Sequence, residues 1–370
     1  MNATQQLHKL GQSIWLDNIT RELLTSGILV RYISELSVTG LTSNPTIFDH
    51  AIRNGDFYDD AIHQKTLEGK SGEALFFELA LEDLVQAADL FRPVYDSTGG
   101  IDGWVSLEVS PLLADDTAGT IKAAAQLHAR AQRPNLFIKI PGTRAGIPAI
   151  EEAIFAGVPV NVTLLFSREH YITVAEAYMR GIERRIDAGL DPKINSVASI
   201  FVSRWDVAVK NKVKGESRNN RLGIAIASRT YEAYRDLLTS KRWQKLAALG
   251  AHPQRLLWAS TGTKDPAASD TLYIEALAAP NTVNTVPEKT LLAFAEHGKI
   301  KSILPTNEDH TAKMEAVIAE YTSVGINDEV LAAELQREGT ESFVKSWRDL
   351  MTCIAKKSDV LTRKISLGGE

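Results

Sequence analysis

The stretch NLFIKI (residues 135–140) is a short run of strand-forming composition, and a longer segment with helical periodicity follows it. The same alternation of short strand-like runs and longer helical patterns recurs along most of the chain. This repetition decides the fold class, because it is typical of α/β proteins. We predict strands at residues 12–17, 38–43, 103–109, 135–140, 158–165, 194–202, 255–260 and 282–285.

Helical segments separate these strands. Asp116-Thr117 caps one predicted helix, Ser167 with Glu169 nearby opens another, and residues 73–91 are densely apolar at helical spacing. Since parallel neighbours need crossover connections, the alternation indicates parallel βαβ units. An open, doubly wound sheet would give the same pattern, but eight units within about 250–300 residues favour a closed (β/α)8 TIM barrel.

We place the catalytic barrel at residues 1–286. The remaining residues, 287–370, read as a helical C-terminal extension that packs on the barrel within the same domain. In this extension Phe343, Trp347, Leu350 and Cys353 form the apolar stripe of a final buried helix.

Composition and charge exclude several classes of protein. The chain has 41 basic and 46 acidic residues, a net charge of -5 and no dense basic block, so a nucleic-acid partner is not expected. The N-terminus has no apolar signal core, and the longest apolar stretch, residues 154–166, is too short and too interrupted to span a membrane. We expect a soluble, cytoplasmic protein with no membrane partner, either a monomer or a homodimer.

Motifs for common cofactors and metals are missing from the sequence. There is no P-loop, no G-x-S-x-G and no G-x-G-x-x-G fingerprint. The eight histidines lack metal-ligand spacing, and His128, His170 and His297 read as structural residues on helices. A single cysteine excludes both a disulfide framework and a cysteine-built zinc site. The sequence therefore predicts neither a metal nor a cofactor.

Strand side chains alternate between two faces, so the side that faces into the barrel can be inferred. Residues 105–110 have a polar face with Ser106, Glu108 and Ser110, and the apolar face between them should meet the helices. Glu108 then points into the barrel near the C-terminal mouth, where barrel enzymes place catalytic groups. The same alternation groups further polar residues towards the C-terminal ends of their strands: Asp17, Asn44, Lys139, Asn161, Thr163 and Ser199.

Lys139 is the most informative single residue, because it lies in the apolar strand FIKIP at residues 137–141. A charged ammonium is costly in such surroundings unless it is paired, and a neutral lysine amine can attack a carbonyl to form a Schiff base. Two other interpretations stay open on these residues alone. Lys139 could extend to solvent at the strand end, or it could form an ion pair with a carboxylate.

Asp17 and Glu108 are candidate carboxylates for proton transfer. Alternatively, Asp17 could cap the helix that follows it, and Glu108 could form a salt bridge with Lys139. Asn44 precedes Pro45 and could be a helix cap while also binding a ligand, since one role does not exclude the other.

Two cations are candidates for binding an anionic ligand. Arg204 follows Ser199 at the start of a helix, where phosphate binds well. Lys264 follows predicted strand seven in the segment STGTK at residues 260–264. Barrels often hold phosphate with their late βα loops, although each cation taken alone could be an ordinary surface charge.

Together these residues resemble the transaldolase family, in particular its longer bacterial subfamily. The resemblance implies a (β/α)8 fold, a class I Schiff-base mechanism and no metal or cofactor. The segments that carry it are WLDNITR (15–21), VTGLTSNPTIF (38–48), VSLEV (105–109), IKIPGT (138–143), PVNVTLLFS (159–167) and SIFVSRWD (199–206).

The resemblance implies a role for each candidate residue. Lys139 would be the Schiff-base nucleophile, Glu108 with a water held by Thr163 would shuttle protons, and Asp17 would take the proton of the C4 hydroxyl. The substrate-binding residues would be Asn44, Asn161 and Ser199 for hydroxyls and Arg204 for phosphate, with Lys264 at the family's second phosphate position, where an arginine is common.

The implied reaction transfers a dihydroxyacetone unit from sedoheptulose 7-phosphate to glyceraldehyde 3-phosphate, giving erythrose 4-phosphate and fructose 6-phosphate. This belongs to the non-oxidative pentose phosphate pathway. Two alternatives remain: an aldolase of the same superfamily that releases free dihydroxyacetone, and a non-catalytic sugar-phosphate-binding barrel in which Lys139 is only ion-paired. The length of the chain and the presence of Glu108 favour the transferase, because the stand-alone aldolase relatives are shorter.

Overall fold

The computed structural model describes residues 1–210, 212 and 220–367. Eight parallel strands follow one another around a closed barrel, and the last strand pairs with the first. The strands are β1 (Ser13–Asp17), β2 (Val38–Thr42), β3 (Trp104–Glu108), β4 (Leu136–Pro141), β5 (Val160–Leu165), β6 (Ser196–Phe201), β7 (Gln254–Ala259) and β8 (Val283–Val286).

The barrel confirms the predicted fold class and excludes the open sheet. Every predicted strand is present, and each of its ends lies within two residues of the predicted position. The largest differences are at the starts of β5 and β6, where residues 158–159 and 194–195 belong to the preceding loops. Such shifts are ordinary at strand ends, because composition does not specify where ladder pairing begins.

Helices surround the barrel and connect its strands. They are α1 (Ala3–Lys9), α2 (Arg21–Thr25), α3 (Ile28–Leu36), α4 (Pro45–Asn54), α5 (Asp59–Leu67), α6 (Gly72–Ser97), α7 (Thr117–Ala131), α8 (Gly146–Phe155), α9 (Arg168–Asp187), α10 (Ser203–Val209), α11 (Leu222–Thr239), α12 (Lys241–Ala248), α13 (Leu272–Ala276), α14 (Glu288–His297), α15 (Glu308–Thr322) and α16 (Asp328–Leu367), with a 3-10 turn at Pro111–Leu113.

The predicted helix caps are confirmed. The Asp116 carboxylate accepts a hydrogen bond from the backbone N–H of Gly119 at 2.9 Å and caps α7. The Ser167 hydroxyl accepts from the N–H of His170 at 3.1 Å and caps α9. Each bond satisfies one of the backbone donors that the first turn of a helix leaves unpaired.

Apolar side chains form an inner and an outer layer, as strand alternation requires. Inside the barrel, aromatic residues fill the end where the strands begin, and the rings of Trp104 and Phe137 stack with centroids 4.0 Å apart. Outside, Val105 and Leu107 of β3 belong to the cluster that includes helix residues of α6 such as Phe91. The predicted parity of β3 is therefore confirmed, and the packed lower end leaves the C-terminal mouth for the polar groups.

The chain after β8 is helical. Helix α15 packs against α11, while α16 contacts α4, α5, α6 and the end of β5. Trp347, Leu350 and Cys353 are buried on α16, which confirms the predicted stripe. Strand β8 ends at Val286. The division into a barrel of residues 1–286 and an extension of residues 287–370 within one domain stays a prediction, and residues 368–370 lie outside the described residues.

No helix in the described part of the chain is both long enough and apolar enough to cross a membrane.

Candidate active site

A cavity of about 320 Å³ opens at the C-terminal ends of the strands. Glu108 and Asn161 are not part of its lining but lie buried beside residues that are. Seven of the nine predicted site residues line the cavity, from six different βα connections: Asp17, Asn44, Lys139, Thr163, Ser199, Arg204 and Lys264.

Lys139 lies in the middle of the site. The residue is only 6% exposed, so the interpretation in which it extends to solvent is wrong. Its Nζ donates to the backbone carbonyl of Ser43 at 3.2 Å and lies 3.3 Å from Oε2 of Glu108. The ion-pair interpretation is thus realised, and it is compatible with a nucleophilic role because the same carboxylate can exchange protons with the amine.

Strand register explains why Glu108 meets Lys139. The two residues are direct partners in the β3–β4 ladder, so their side chains leave neighbouring strands side by side on the inner face. Burial raises the pKa of the Glu108 carboxyl, and the nearby Lys139 ammonium opposes this effect. A carboxyl with a raised pKa in a closed site is suited to both donating and accepting protons.

Asp17 is the second carboxyl of the site, and it is partly buried. It ends β1 and accepts a hydrogen bond from the Thr42 hydroxyl at 2.9 Å. Burial raises the pKa of Asp17, while Lys139 and the Thr42 hydrogen bond oppose the shift. The helix-cap interpretation is wrong, because α2 is capped by Thr20, whose hydroxyl accepts from the N–H of Leu23 at 3.0 Å.

Polar side chains from β3, β5 and β6 form a hydrogen-bonded chain below the cavity. The Asn161 amide donates to the Ser106 hydroxyl at 3.1 Å, and the Ser199 hydroxyl donates to the Asn161 carbonyl at 2.7 Å. This chain fixes the orientation of Asn161. Thr163, two residues further along β5, is different: its buried hydroxyl has no hydrogen-bond partner among the described residues.

Asn44 has the local role that its position before Pro45 predicts. Its side-chain carbonyl accepts from the N–H of Ile47 at 3.1 Å and caps α4, and the residue also lines the cavity. The cap holds the side chain at the rim, where its amide can meet a ligand. Both interpretations of Asn44 are compatible with this geometry.

Arg204 and Lys264 both line the cavity and bring positive charge to it. The Arg204 guanidinium lies 5.4 Å from the ring centroid of Phe201, next to the N-terminus of α10. Burial lowers the pKa of Arg204 and Glu338 of α16 opposes the shift, but an arginine stays charged at any physiological pH. The cavity is therefore suited to an anionic group.

Sequence reasoning missed several residues at the site. One is the Ser43 carbonyl, a backbone group that accepts from Lys139. Another is the pair of hydroxyls of Thr42 and Thr285, which lie 2.6 Å apart because β1 pairs with both of their strands. Ser342 and Phe343 of α16 also line the cavity. The sequence places Phe343 only in a buried helix stripe, and no local signal in it shows that this stripe reaches the mouth.

Among the described residues, no group of three or more histidine, cysteine, aspartate or glutamate side chains could hold a metal ion. The three histidines interpreted as structural all lie on helices: His128 on α7, His170 on α9 and His297 on α14. Nδ1 of His170 accepts a hydrogen bond from the backbone N–H of Phe166.

The arrangement can form and resolve a covalent bond to a carbonyl carbon. Among the described residues it contains the buried amine of Lys139, a buried and a partly buried carboxyl with raised pKa values, and the Thr163 hydroxyl, which can hold a water molecule. A nucleophile, two proton-transfer groups and a cationic rim are the elements of Schiff-base chemistry on a phosphorylated substrate.

Comparisons with known proteins agree with this chemistry. The family described as Transaldolase/Fructose-6-phosphate aldolase matches residues 14–354. Transaldolase 2 of Streptomyces avermitilis is 44% identical over 359 residues, which cover 95% of each chain. Transaldolase of Thermobifida fusca is 44% identical over 360 residues, covering 95% of this chain and 97% of that protein. Transaldolase of Renibacterium salmoninarum is 41% identical over 374 residues, covering 99% of both.

Proposed function

The chain belongs to the transaldolase/fructose-6-phosphate aldolase family and has transaldolase function as a transferase, and from this premise we propose its substrates and the residues that act on them. It transfers a dihydroxyacetone unit from sedoheptulose 7-phosphate to glyceraldehyde 3-phosphate, giving erythrose 4-phosphate and fructose 6-phosphate in the non-oxidative pentose phosphate pathway. The observation that carries this proposal is the buried amine of Lys139 at the floor of a cavity with a cationic rim.

Formation of the Schiff base uses Lys139 and Glu108. The neutral Lys139 amine attacks the ketose carbonyl, and Glu108, 3.3 Å from Nζ, takes and returns the protons of the carbinolamine. A water molecule on the Thr163 hydroxyl relays them, and a second proton transfer expels the former carbonyl oxygen as water. The unpartnered, buried hydroxyl of Thr163 supports this assignment.

Carbon–carbon cleavage uses Asp17. Its carboxylate removes the proton of the C4 hydroxyl, the C3–C4 bond breaks, and the electron pair moves into the iminium to give an enamine on Lys139. The aldose phosphate leaves. An incoming aldehyde is attacked by the enamine carbon, and protonated Asp17 returns its proton to the new hydroxyl. Burial of Asp17 supports this role, because a raised pKa makes the carboxylate a stronger base.

Asn44, Asn161 and Ser199 bind hydroxyls of the retained three-carbon unit. The hydrogen-bonded pair of Asn161 and Ser199 supports this, since a side chain held in one orientation loses little entropy on binding. Arg204 and Lys264, which both line the cavity, bind the phosphate. The cytoplasmic location and the choice between monomer and homodimer stay predictions from the sequence.

An acceptor experiment tests the proposed reaction. The enzyme receives fructose 6-phosphate alone or with erythrose 4-phosphate, and free dihydroxyacetone and sedoheptulose 7-phosphate are both quantified. We expect rapid sedoheptulose 7-phosphate formation with the acceptor and little free dihydroxyacetone without it. Equal rates of dihydroxyacetone release under both conditions would favour the aldolase that the family description also includes. Binding without turnover would leave the non-catalytic barrel.

A further inference from the structure

We propose that Phe343 of α16 determines how the covalent intermediate is resolved, by keeping water and its protons away from the enamine until an aldehyde acceptor has reacted with it. The inference rests on the proposed function, because it concerns the Schiff base on Lys139. It adds a specificity-determining residue from the C-terminal extension to a site whose proposed catalytic residues all lie on barrel strands. Phe343 lines the cavity and is 9% exposed, with its ring centroid 5.7 Å from Nζ of Lys139.

Helix α16 is hydrogen-bonded to the ends of the strands that carry Lys139 and Thr163. The side-chain amide of Gln336 donates to the backbone carbonyl of Gly142 at 3.1 Å and to that of Leu164 at 2.9 Å. These carbonyls lie at the C-terminal ends of β4 and β5, which carry Lys139 and Thr163. Such direct bonds tie the position of the helix to the position of the nucleophile.

The backbone of β5 is adapted to this contact. Register shifts between Val162 and Leu165, and Leu164 adopts a left-handed conformation with φ of 60°, which is rare for a branched side chain. The irregularity turns Leu164 into the inner cluster that also contains Phe343. Gly339 lets the helix approach closely, since a Cβ there would lie 2.9 Å from Cδ2 of Leu164.

The other side of α16 is also held. The hydroxyl of Thr46, two residues after Asn44, donates to the Ser346 hydroxyl at 2.9 Å. One turn beyond Phe343, the ring of Trp347 packs edge-on against Phe76 at 4.9 Å. Contacts on both sides of the mouth therefore hold Phe343 at a defined place above Lys139.

Two physical effects follow from an aromatic ring at this place. Its face attracts a cation, so it favours the iminium form of the Schiff base as it favours the resting ammonium. Its apolar atoms also occupy space from which water would otherwise reach the reacting carbon. Only the second effect protects the enamine, because its protonation to the iminium is the first step of hydrolysis.

The intermediate has two possible fates. In transfer, the enamine carbon attacks an aldehyde and forms a new C–C bond before the product is hydrolysed from Lys139. In hydrolysis, the same carbon is protonated instead, and a water oxygen adds to the iminium carbon. The C–N bond then breaks as the carbonyl forms, so that dihydroxyacetone is released and Lys139 is regenerated with the proton on its nitrogen. Phe343 acts on the competition between these paths, since the second begins with access of water and protons to an uncovered enamine.

The test compares Phe343→Ala and Phe343→Leu with a matched control, Leu350→Ala, on the same helix. Leu350 is fully buried but does not line the cavity, so its loss removes similar packing without opening the mouth. With fructose 6-phosphate and erythrose 4-phosphate, the ratio of free dihydroxyacetone to sedoheptulose 7-phosphate is measured. We expect an increase of roughly tenfold in Phe343→Ala, a smaller one in Phe343→Leu, and none in Leu350→Ala.

Borohydride trapping in every variant separates the two levels of the proposal. A Lys139 adduct in wild type and in Phe343→Ala, with an unchanged product ratio, overturns the role of Phe343 and leaves the proposed function intact. No adduct in wild type overturns both. An equal rise of the ratio in Leu350→Ala also overturns the role of Phe343, since loosening of α16 would then suffice. If Phe343→Ala does not fold, the same ratio in Phe343→Leu decides.

Discussion

Asp17, Glu108 and Lys139 are ionisable side chains in a barrel interior, and their burial has consequences for both chemistry and stability. Each carboxyl would be more easily accommodated if it were protonated, because desolvation disfavours its charged form. The Lys139 ammonium offsets part of this cost for both. The site is thus held in a state that favours proton transfer at the expense of stability near neutral pH.

Asp17→Asn should stabilise the folded protein at pH 7. Because the pKa of Asp17 is raised, its folded-state contribution is most favourable below the ordinary value of 3.8 and is lost as the pH rises through the raised pKa. The neutral amide avoids that loss and can still accept from Thr42. Thermal unfolding should show a melting temperature about 2 °C above wild type at pH 7 and no gain near pH 4.

Asp115→Asn is the matched control for this measurement, because Asp115 is exposed and does not line the cavity. Its melting temperature should follow wild type at both pH values. An Asp17→Asn protein that is less stable than wild type at pH 7 would show that the attraction of Asp17 to Lys139 outweighs the cost of its burial.

Glu108→Gln should slow imine formation by about 10²-fold or more while leaving ligand binding nearly unchanged. The amide keeps the shape of the side chain beside Lys139 but cannot shuttle protons. Single-turnover trapping measures imine formation, and equilibrium binding of fructose 6-phosphate to each protein gives the second quantity. Equal losses in the two quantities would assign Glu108 to binding instead.

At this scale the sequence predicted which side chains meet. Alternation along β3 to β6 placed Glu108, Lys139 and Thr163 on the inner face, and the structure brings them together. The sequence does not predict that Lys139 donates to the Ser43 carbonyl, because every residue has a backbone carbonyl and its residue type gives no sign of such a contact. The sequence also leaves open whether Lys139 is a nucleophile or only an ion-pair partner, since the Glu108 carboxylate is compatible with both roles.

Among the elements, α10 and α11 show how a buried carboxylate can organise backbone. Asp206 of α10 accepts from the N–H groups of Leu222 and Gly223 at the start of α11, at 3.0 and 3.3 Å, and from the Tyr273 hydroxyl at 2.8 Å. Burial raises the pKa of Asp206 to about 6. The carboxylate satisfies helix-terminal donors that would otherwise be unpaired.

Asp206→Ala should destabilise the protein by about 2–4 kcal/mol, because it leaves buried donors on two elements without an acceptor. Urea unfolding measures the change, and Asp206→Asn, which keeps an acceptor oxygen, should lose less. Asp206 does not line the cavity, so transfer activity at low temperature should be unaffected in both variants. A loss below about 0.5 kcal/mol in Asp206→Ala would contradict the assigned role.

Periodicity and caps predicted the elements well, because both are local properties. Asp116 and Ser167 open α7 and α9 as expected, and residues 73–91 lie within α6. The irregularity at Leu164 has no local signal in the sequence, and it lies where β5 meets Gln336 of α16. At Asp17 the local pattern is misleading. Aspartate is a common helix cap, but the residue that caps α2 is Thr20, three residues later.

In the whole molecule, the extension shares its core with the barrel. Trp347, Leu350 and Ile354 of α16 belong to the same buried cluster as Val105 and Ile138 of the strands. We therefore expect the barrel and the extension to unfold together. Differential scanning calorimetry should show one transition whose calorimetric and van't Hoff enthalpies agree. Two resolved transitions would mean that the extension is a separate unit.

The sequence predicted the barrel and its helical extension, but not where the extension crosses the barrel. Strand number and order follow from local patterns and short connections. The path of α16 over the mouth depends on pairings between residues distant along the chain, such as Gln336 with Leu164 and Ser346 with Thr46. For this reason Phe343 was recognised as buried but not as part of the site.

The most direct test of Lys139 as the Schiff-base nucleophile is borohydride trapping. The protein is incubated with fructose 6-phosphate and reduced, and the modified peptide is mapped by mass spectrometry beside a Lys264→Ala control that retains Lys139. We expect a dihydroxyacetone adduct on Lys139 in both proteins. An adduct on another lysine, or none while ligand binding is confirmed, would contradict the assignment of Lys139 as the Schiff-base nucleophile.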